Sequence, residues 1–332
     1  MFFLKKTAKM EKPLIVVTRR IPGSGLNMIS PERFEVRLNS KDKSLEPSDL
    51  KKFVKGAAAI LALLTDKIDD AVLAAAGRSL KIVANYAVGF DNVDLAACRK
   101  RKIIVTNTPE VSTEAVAEHT FGLILAVLRQ IVQADKFTRQ GKYHGWQPEL
   151  FLGGELFGKT LGVLGLGRIG RRVAEIAALG FKMKVVYYDN GNRDRGFDQK
   201  IGGEAVSIRK VLTASDVLTL HVPLTAKTRH LMSRSELASM KKTAILVNTS
   251  RGPVVDEKAL AASLASHEIA GAGIDVYEFE PEILPELKAL ENVVLTPHIA
   301  SATNEAREAM SALAVRNILE VLRGAAPLTP AK

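Results

Sequence analysis

The sequence predicts an α/β protein of two doubly wound parallel-sheet domains, one inserted into the other. Three observations carry that prediction. Residues 12–107 alternate short apolar runs with helical patterns, which is the signature of a parallel sheet covered by helices on both faces. The run Thr160-Leu-Gly-Val-Leu-Gly165-Leu-Gly167-Arg-Ile-Gly170 sits in a complete strand, turn, helix, strand context. About 155 residues precede that context, and a final helical stretch, roughly Ala302–Arg323, has no strand after it.

The elements follow in order. Residues 1–12 read as a loose tail, with Met10 immediately ahead of the first strand; the nine residues before it are a flexible extension or an upstream start. Strands are expected at Leu14–Thr18, Phe34–Leu38, Ala59–Leu64, Lys81–Ala87 and Ile103–Thr106, with helices such as Pro47–Lys55 and Asp69–Ala76 between them. A long helix is expected from Ser112 to about Gln140, with Glu114 in its first turn. It leads into the loop Gly141-Lys-Tyr-His-Gly-Trp-Gln-Pro148, which carries the only tryptophan. Beyond the glycine run, strands at Val185–Tyr188, Val217–Val222, Ala244–Asn248, Gly273–Val276 and Asn292–Thr296 join Leu161–Leu164 to make six, the number of a doubly wound dinucleotide-binding sheet. The strandless last helix is expected to return to the first block. Residues 108–299 would then be inserted in a split domain of 1–107 and 300–332, with the site in the cleft between the two.

Composition bounds the function. The chain has 332 residues, 47% hydrophobic and 25% charged, ordinary for a soluble two-domain protein. Its longest apolar run near a helix, Phe121–Leu128, is far too short to cross a bilayer. Met1-Phe-Phe-Leu followed by Lys5 and Lys6 lacks the apolar region of a signal peptide. One cysteine, Cys98, excludes an internal disulfide framework and fits a reducing cytoplasm. The net charge of +11 arises mostly near the N-terminus, where residues 1–55 hold 13 Lys/Arg against 6 Asp/Glu. Those charges are scattered, without aromatic interleaving, so attraction of anionic ligands accounts for them and neither nucleic acid nor membrane is an expected partner.

The glycine run has a specific physical reading. Gly165 permits a tight turn, Gly167 lets backbone approach a pyrophosphate, and Gly170 allows the helix from Arg168 to Leu179 to pack on its strand. That helix, with Ile169, Val173, Ile176 and Ala177 on one face, offers unpaired N–H groups to phosphate at its start. Asp189, 19 residues past Gly170, would accept hydrogen bonds from both ribose hydroxyls and repel a 2′-phosphate. A nicotinamide dinucleotide is the expected cofactor, NAD by the Asp189 argument. NADP stays open because Arg193 and Arg195 follow closely.

Candidate chemistry lies after the later strands, where ligands bind in open α/β sheets. Arg251 follows the fourth strand and can grip a carboxylate and a carbonyl oxygen with parallel N–H bonds. The fifth strand ends in clustered acids, Gly273-Ile-Asp-Val-Tyr-Glu-Phe-Glu280-Pro281. The sixth ends at His298, a proton donor when paired with a carboxylate.

With Asn85-Tyr-Ala-Val-Gly-Phe-Asp-Asn-Val-Asp94, Val105-Thr-Asn-Thr-Pro109, Val222-Pro223, Thr249-Ser-Arg-Gly252, Val255-Asp256, Asp275-Val, Glu280-Pro and Thr296-Pro-His298, the chain resembles the D-isomer-specific 2-hydroxyacid dehydrogenases over roughly residues 12–328. Through Gly145-Trp-Gln-Pro148 and Phe151-Leu-Gly it is most similar to their glyoxylate/hydroxypyruvate reductases. The resemblance implies a Rossmann NAD(P) domain within a flavodoxin-like substrate domain. It implies reduction of a small 2-oxo acid to the D-2-hydroxy acid. Arg251 would bind and polarise the substrate, backbone N–H groups of Val88 and Gly89 would hold its carboxylate, and His298 would protonate its carbonyl oxygen. Glu280 would favour the charged imidazolium. Asp275 would meet the nicotinamide amide, with Val222, Thr249 and Ser301 framing the cofactor and Arg168, Ile169, Pro223 and Ser250 beside it. No metal is implied.

The resemblance also implies a homodimer, since the loop carrying Trp146 reaches the partner's cleft in similar reductases; a surface tryptophan on a turn is the alternative. Phosphite dehydrogenases are similar too, but carry a lysine where this chain has Val88. With no regulatory domain after residue 328, the long phosphoglycerate dehydrogenases are a poorer match. A 2-ketogluconate or other D-2-hydroxyacid dehydrogenase is the alternative activity. NAD-sensing corepressors, the C-terminal binding proteins, are the alternative class, disfavoured by the short tails.

Overall fold

In the computed structural model, residues 12–191 and 193–331 are described; the expectation for the first residues lies outside them. The chain gathers into two compact units, one of the residues up to Ser112 with those from Thr303 onward, the other spanning Thr113–Ala302.

Among its described residues the first unit holds five parallel strands, β1 (Leu14–Val17), β2 (Glu35–Leu38), β3 (Ala57–Ala62), β4 (Ile82–Asn85) and β5 (Ile104–Thr106), in the order β2-β1-β3-β4-β5. This is the flavodoxin-type order. Alternate residues point to opposite faces, and both faces are buried. Val16, Ile60 and Val83 pack with Leu50 of α1 (Pro47–Phe53), Leu73 of α2 (Asp70–Ala76) and Cys98 of α3 (Leu95–Lys100). On the other face, Ile15, Val17, Leu61 and Ile82 pack with Met310, Val315 and Ile318 of the C-terminal helix Asn304–Leu322. That helix is capped by Thr303, whose side chain accepts from the Ala306 amide. Asn317 on it accepts the Leu328 and Thr329 amides, and Thr329 donates to the Asn107 carbonyl, so the chain end is tied back beside β5.

Among the described residues of the second unit seven parallel strands replace the expected six. They are β6 (Thr160–Leu164), β7 (Lys184–Tyr188), β8 (Glu204–Ala205), β9 (Val217–Leu220), β10 (Ile245–Asn248), β11 (Gly271–Ile274) and β12 (Val293–Leu295), in the order β12-β11-β10-β9-β6-β7-β8. The extra strand, β8, is two residues at the sheet edge and has no apolar run to announce it. Ile245 and Val247 face one core layer, Leu246 the other.

The expected single helix over residues 112–140 is two, α4 (Thr113–Leu128) and α5 (Ile131–Arg139), bent by 63°. The break falls at Gln130, a left-handed residue at φ 50°. Phe121, Leu123 and Ile124 hold α4 in the core, whereas no α5 residue is buried, so nothing keeps α5 on the sheet. The freed Leu128 carbonyl accepts from the Gly154 amide. The remaining helices are α6 (Arg168–Glu175), extended by a π-type turn over Ile176–Gly180, α7 (Arg195–Ile201), α8 (Ile208–Ala214), α9 (Arg234–Ala238), α10 (Glu257–Ala265) and α11 (Pro285–Lys288). Among the described residues no single helix is long and apolar enough to cross a membrane.

Candidate active site

The glycine turn joins β6 to α6. Gly165 has φ 93°, and a Cβ there would lie 2.6 Å from the His221 carbonyl oxygen. A Cβ on Gly170 would lie 2.1 Å from the Gly165 carbonyl oxygen, so only glycine lets α6 start this close to the strand. Gly167 differs from both: a Cβ on it would meet no atom within 4 Å. Gly167 is the N-cap of α6 and supplies no side-chain cap to the backbone N–H groups of the helix's first turn. A cradle that any side chain would fill, at a helix N-terminus, fits a pyrophosphate.

Asp189, one residue past β7, closes the cradle. Its Oδ2 accepts from the Leu166 amide at 2.6 Å and its Oδ1 from the Gly191 amide at 2.7 Å. Each oxygen keeps a lone pair for a ribose hydroxyl. Two of the neighbouring arginines are committed elsewhere. Arg193 Nε donates to Asp198 at 2.5 Å, and Asp198 is buried and also accepts from the Tyr187 hydroxyl at 2.6 Å. Burial and that hydrogen bond push the Tyr187 phenol pKa up to about 12. Arg171 pairs with Asp194 at 2.6 Å and lies 4.9 Å over the Phe197 ring. Arg195 opens α7 and is exposed.

Beyond β9 comes His221-Val222-Pro223. His221 was not singled out by sequence reasoning; its ring is 2.9 Å from the Thr219 hydroxyl, and desolvation pushes its pKa down to about 3, so it is neutral. Val222 approaches Gly165, and the Pro223 carbonyl accepts from the Thr228 hydroxyl.

After β10 the chain turns on Asn248, whose Oδ1 accepts from the Ser250 amide and hydroxyl and whose Nδ2 donates to the Arg251 carbonyl. Thr249 is buried against Thr120 of α4, hydroxyl to hydroxyl at 3.1 Å. Arg251 is extended, at φ −145°, and leads into the short helical turn Gly252–Val254.

His298 follows β12 at φ 55°, a conformation costly for a residue with a side chain, about 1–3 kcal/mol, and concentrated at functional sites. Its amide donates to the Asp275 carbonyl at 2.8 Å, and its Nδ1 meets Glu280 Oε2 at 2.9 Å and Oε1 at 3.1 Å. With Nδ1 engaged by the carboxylate, Nε2 is the nitrogen that exchanges a proton with a ligand. Both side chains remain about a quarter to a third exposed.

Asp275 braces this turn. It is fully buried, and its carboxylate accepts from the Thr296 hydroxyl and the Ile299 and Ala300 amides, just ahead of Ser301. Burial would raise its pKa, but these donors, with His119 Nε2 3.4 Å away, hold it below the usual carboxylate range. His119 is a second residue that the sequence did not mark.

Val88 and Gly89 lie in the first unit, after β4. The Ala87 carbonyl accepts from the Thr108 amide at 2.9 Å and the Val88 carbonyl from Asn107 Nδ2 at 2.7 Å. In a trans peptide the N–H points opposite to the carbonyl of the same plane, so the Val88 and Gly89 N–H groups each point away from those partners. Asn85 Nδ2 fixes the Gly89 carbonyl at 2.8 Å.

A cavity of the second unit lies elsewhere. It has a volume of about 760 Å³ and is lined by residues such as Leu128, Gln133, Leu152 and His267; none of the expected site residues lines it.

Residues 121–300 match the NAD binding domain of D-isomer specific 2-hydroxyacid dehydrogenases. The glyoxylate reductase of Pyrococcus furiosus is 46% identical over 322 residues, covering 96% of this chain and 95% of that one. A Thermus thermophilus protein of solved structure superposes with a TM-score of 0.90 at 42% identity, covering 96% of this chain and all of that one. The NADPH-dependent glyoxylate/hydroxypyruvate reductase of Sinorhizobium meliloti, solved with NADP and malonate, has a TM-score of 0.83 at 35% identity and covers 97% of each chain. The chain belongs to the D-isomer specific 2-hydroxyacid dehydrogenase family.

Proposed function

We propose that the chain is an NAD(P)-dependent reductase of a small 2-oxo acid, of glyoxylate or hydroxypyruvate size, giving the D-2-hydroxy acid, and that NADH is its preferred reductant. The observation that carries this reading is His298, held in a left-handed turn with Nδ1 on Glu280, at the end of the strand next to the one bearing Glu280 and near the strand end of Arg251 in the same sheet.

When bound, the reduced nicotinamide supplies a hydride to the carbonyl carbon of the 2-oxo acid. The residues of the chain do the rest. The cradle from Gly165 to Gly170 and the Asp189 carboxylate hold the dinucleotide. Val222, Pro223, Thr249, Ser250 and Ser301 frame it. The Arg251 guanidinium binds the substrate and draws charge toward its carbonyl oxygen. The Val88 and Gly89 amides are donors for its carboxylate. As the oxygen gains charge, His298 passes its Nε2 proton to it, and Glu280 steadies the imidazolium beforehand. In the reverse direction neutral His298 takes the hydroxyl proton of a D-2-hydroxy acid.

Two observations support NADH over NADPH: the Asp189 carboxylate at the ribose position, and the commitment of Arg193 to Asp198, which withholds it from a 2′-phosphate. A homodimer in the cytoplasm is part of the same proposal. Ile131 and Val132 of α5 and Tyr143, Trp146, Leu152 and Phe157 after it are all more than half exposed, a concentration of apolar surface that a second copy would cover. The deciding experiment is kcat/KM for a panel of 2-oxo acids with NADH and NADPH. Glyoxylate and hydroxypyruvate with NADH are expected to lead; a preference for branched or aromatic oxo acids, or for NADPH, would overturn that part of the reading.

A further inference from the structure

We propose that Glu257 is a positioning residue for the proton-donor pair, fixing through the Tyr277–Glu278 peptide the loop that carries Glu280. Glu257 is the first residue of α10, immediately after the N-cap Asp256. An acid at that place ordinarily lies in solvent and serves the helix dipole. Glu257 instead is only 5% exposed, and its carboxylate accepts from the backbone amide of Glu278. It therefore holds the start of the loop that runs through Glu280.

The same peptide is held from a second direction. Gly252 directly follows Arg251, and a Cβ on Gly252 would fall 1.9 Å from the Tyr277 carbonyl carbon and oxygen and 2.5 Å from the Glu278 nitrogen. The peptide lies flat against the α-carbon of Gly252, with no room for a side chain. A third hold comes from His230, whose amide donates to the Pro253 carbonyl at 2.8 Å and whose Nε2 meets Glu278 Oε1 at 2.6 Å. The segment from Gly252 to Glu257 thus grips one peptide plane with an α-carbon at one end and a carboxylate at the other.

That grip reaches the reacting atoms in two bonds. The Tyr277 amide donates to Glu280 Oε1 at 3.0 Å, and Glu280 meets His298 Nδ1. The Tyr277 hydroxyl donates to the Thr296 carbonyl at 2.9 Å, two residues before His298. Through Tyr277 and the peptide that follows it, the arginine turn, the acid loop and the histidine turn are set relative to one another. Burial raises the Glu257 pKa against the pull of the Glu278 and Leu284 amides, with the Glu278 and Glu280 charges adding to the rise, so this is an unfavourable place for a carboxylate that does nothing else.

The inference rests on Glu280 and His298 as the proton-donor pair. Glu257→Gln, nearly isosteric, and Glu257→Ala are compared with His298→Ala in NADH-dependent glyoxylate reduction in H2O and D2O, with NADH affinity from fluorescence. Glu257→Gln is expected to lower kcat about tenfold and Glu257→Ala by about a hundredfold, the scale of a misplacement near 1 Å. The solvent isotope effect on kcat should rise in both, with NADH affinity within about twofold of wild type, a split that general loosening of the fold would not produce. Wild-type kcat and isotope effect in Glu257→Gln, beside an inactive His298→Ala, would overturn the inference alone. An equal loss of NADH affinity and turnover in Glu257→Gln would overturn it as well. Full activity of His298→Ala would remove the proton-donor assignment and the inference with it.

Discussion

Replacing Gly170 by alanine puts a methyl group 2.1 Å from the Gly165 carbonyl oxygen, a backbone atom that cannot swing aside. Ordinary contact begins near 3.4 Å, so α6 must retreat by more than 1 Å from the glycine turn. Overpacking of this severity costs up to about 3 kcal/mol. The gain in helix propensity from glycine to alanine returns about 1 kcal/mol, which leaves a net loss of about 2 kcal/mol. Gly167→Ala is the control, because its new methyl meets nothing within 4 Å and its φ of −69° suits any residue. It should cost no more than about 1 kcal/mol of stability, the N-cap preference of glycine over alanine. Both variants should lose NADH affinity by at least about tenfold, or 1.4 kcal/mol, Gly170→Ala because the helix end has moved and Gly167→Ala because the methyl occupies the cradle. Urea unfolding gives the stabilities and quenching of protein fluorescence gives the affinities. Wild-type NADH affinity in Gly167→Ala would refute the cradle, and wild-type stability in Gly170→Ala would refute the packing argument.

Three further outcomes are expected. Asp189→Ala should raise KM for NADH and narrow its advantage over NADPH, since hydrogen-bond acceptors for the ribose and repulsion of the phosphate go together; unchanged KM values for both cofactors would sink the specificity argument. His221, with a folded pKa of about 3 against an ordinary 6.5, imposes no penalty above pH 6.5, but below it the unfolded chain binds a proton that the folded chain does not. Stability is therefore lost as pH falls from 6.5 toward 3, at most about 2 kcal/mol by pH 5, and His221→Gln should lose that much less between pH 7 and 5 in denaturant titrations; parallel pH curves would count against it. Leu152→Asp with Phe157→Asp should move the chain toward monomer in sedimentation without changing its circular dichroism, and an unaltered sedimentation coefficient would take that surface out of the dimer proposal.

Much of the second unit could be read from residues alone, because the glycine run came with both strands, the helix and the terminal acid in order. Arg251, Glu280 and His298 were legible as polar residues at strand ends. What was hidden has physical reasons. The bend at Gln130 carries no glycine or proline, and the apolar period continues across it, so only the lost contact of α5 with the sheet reveals it. The edge strand β8 is too short to show a pattern. Asp275 reads as one acid in a cluster, while its bracing of Ile299 and Ala300 depends on three-dimensional neighbours. Glu257 reads as a first-turn acid, and only its burial separates it from exposed ones such as Asp49, Asp70 and Glu305.

The central claim, that His298 delivers the proton while the cofactor site stands independently, is tested most directly by His298→Ala in single-turnover reduction of glyoxylate with NADH. Loss of general acid catalysis should slow reduction by about 10²–10⁴-fold, with the NADH dissociation constant within about twofold of wild type. Reduction at the wild-type rate would contradict the account.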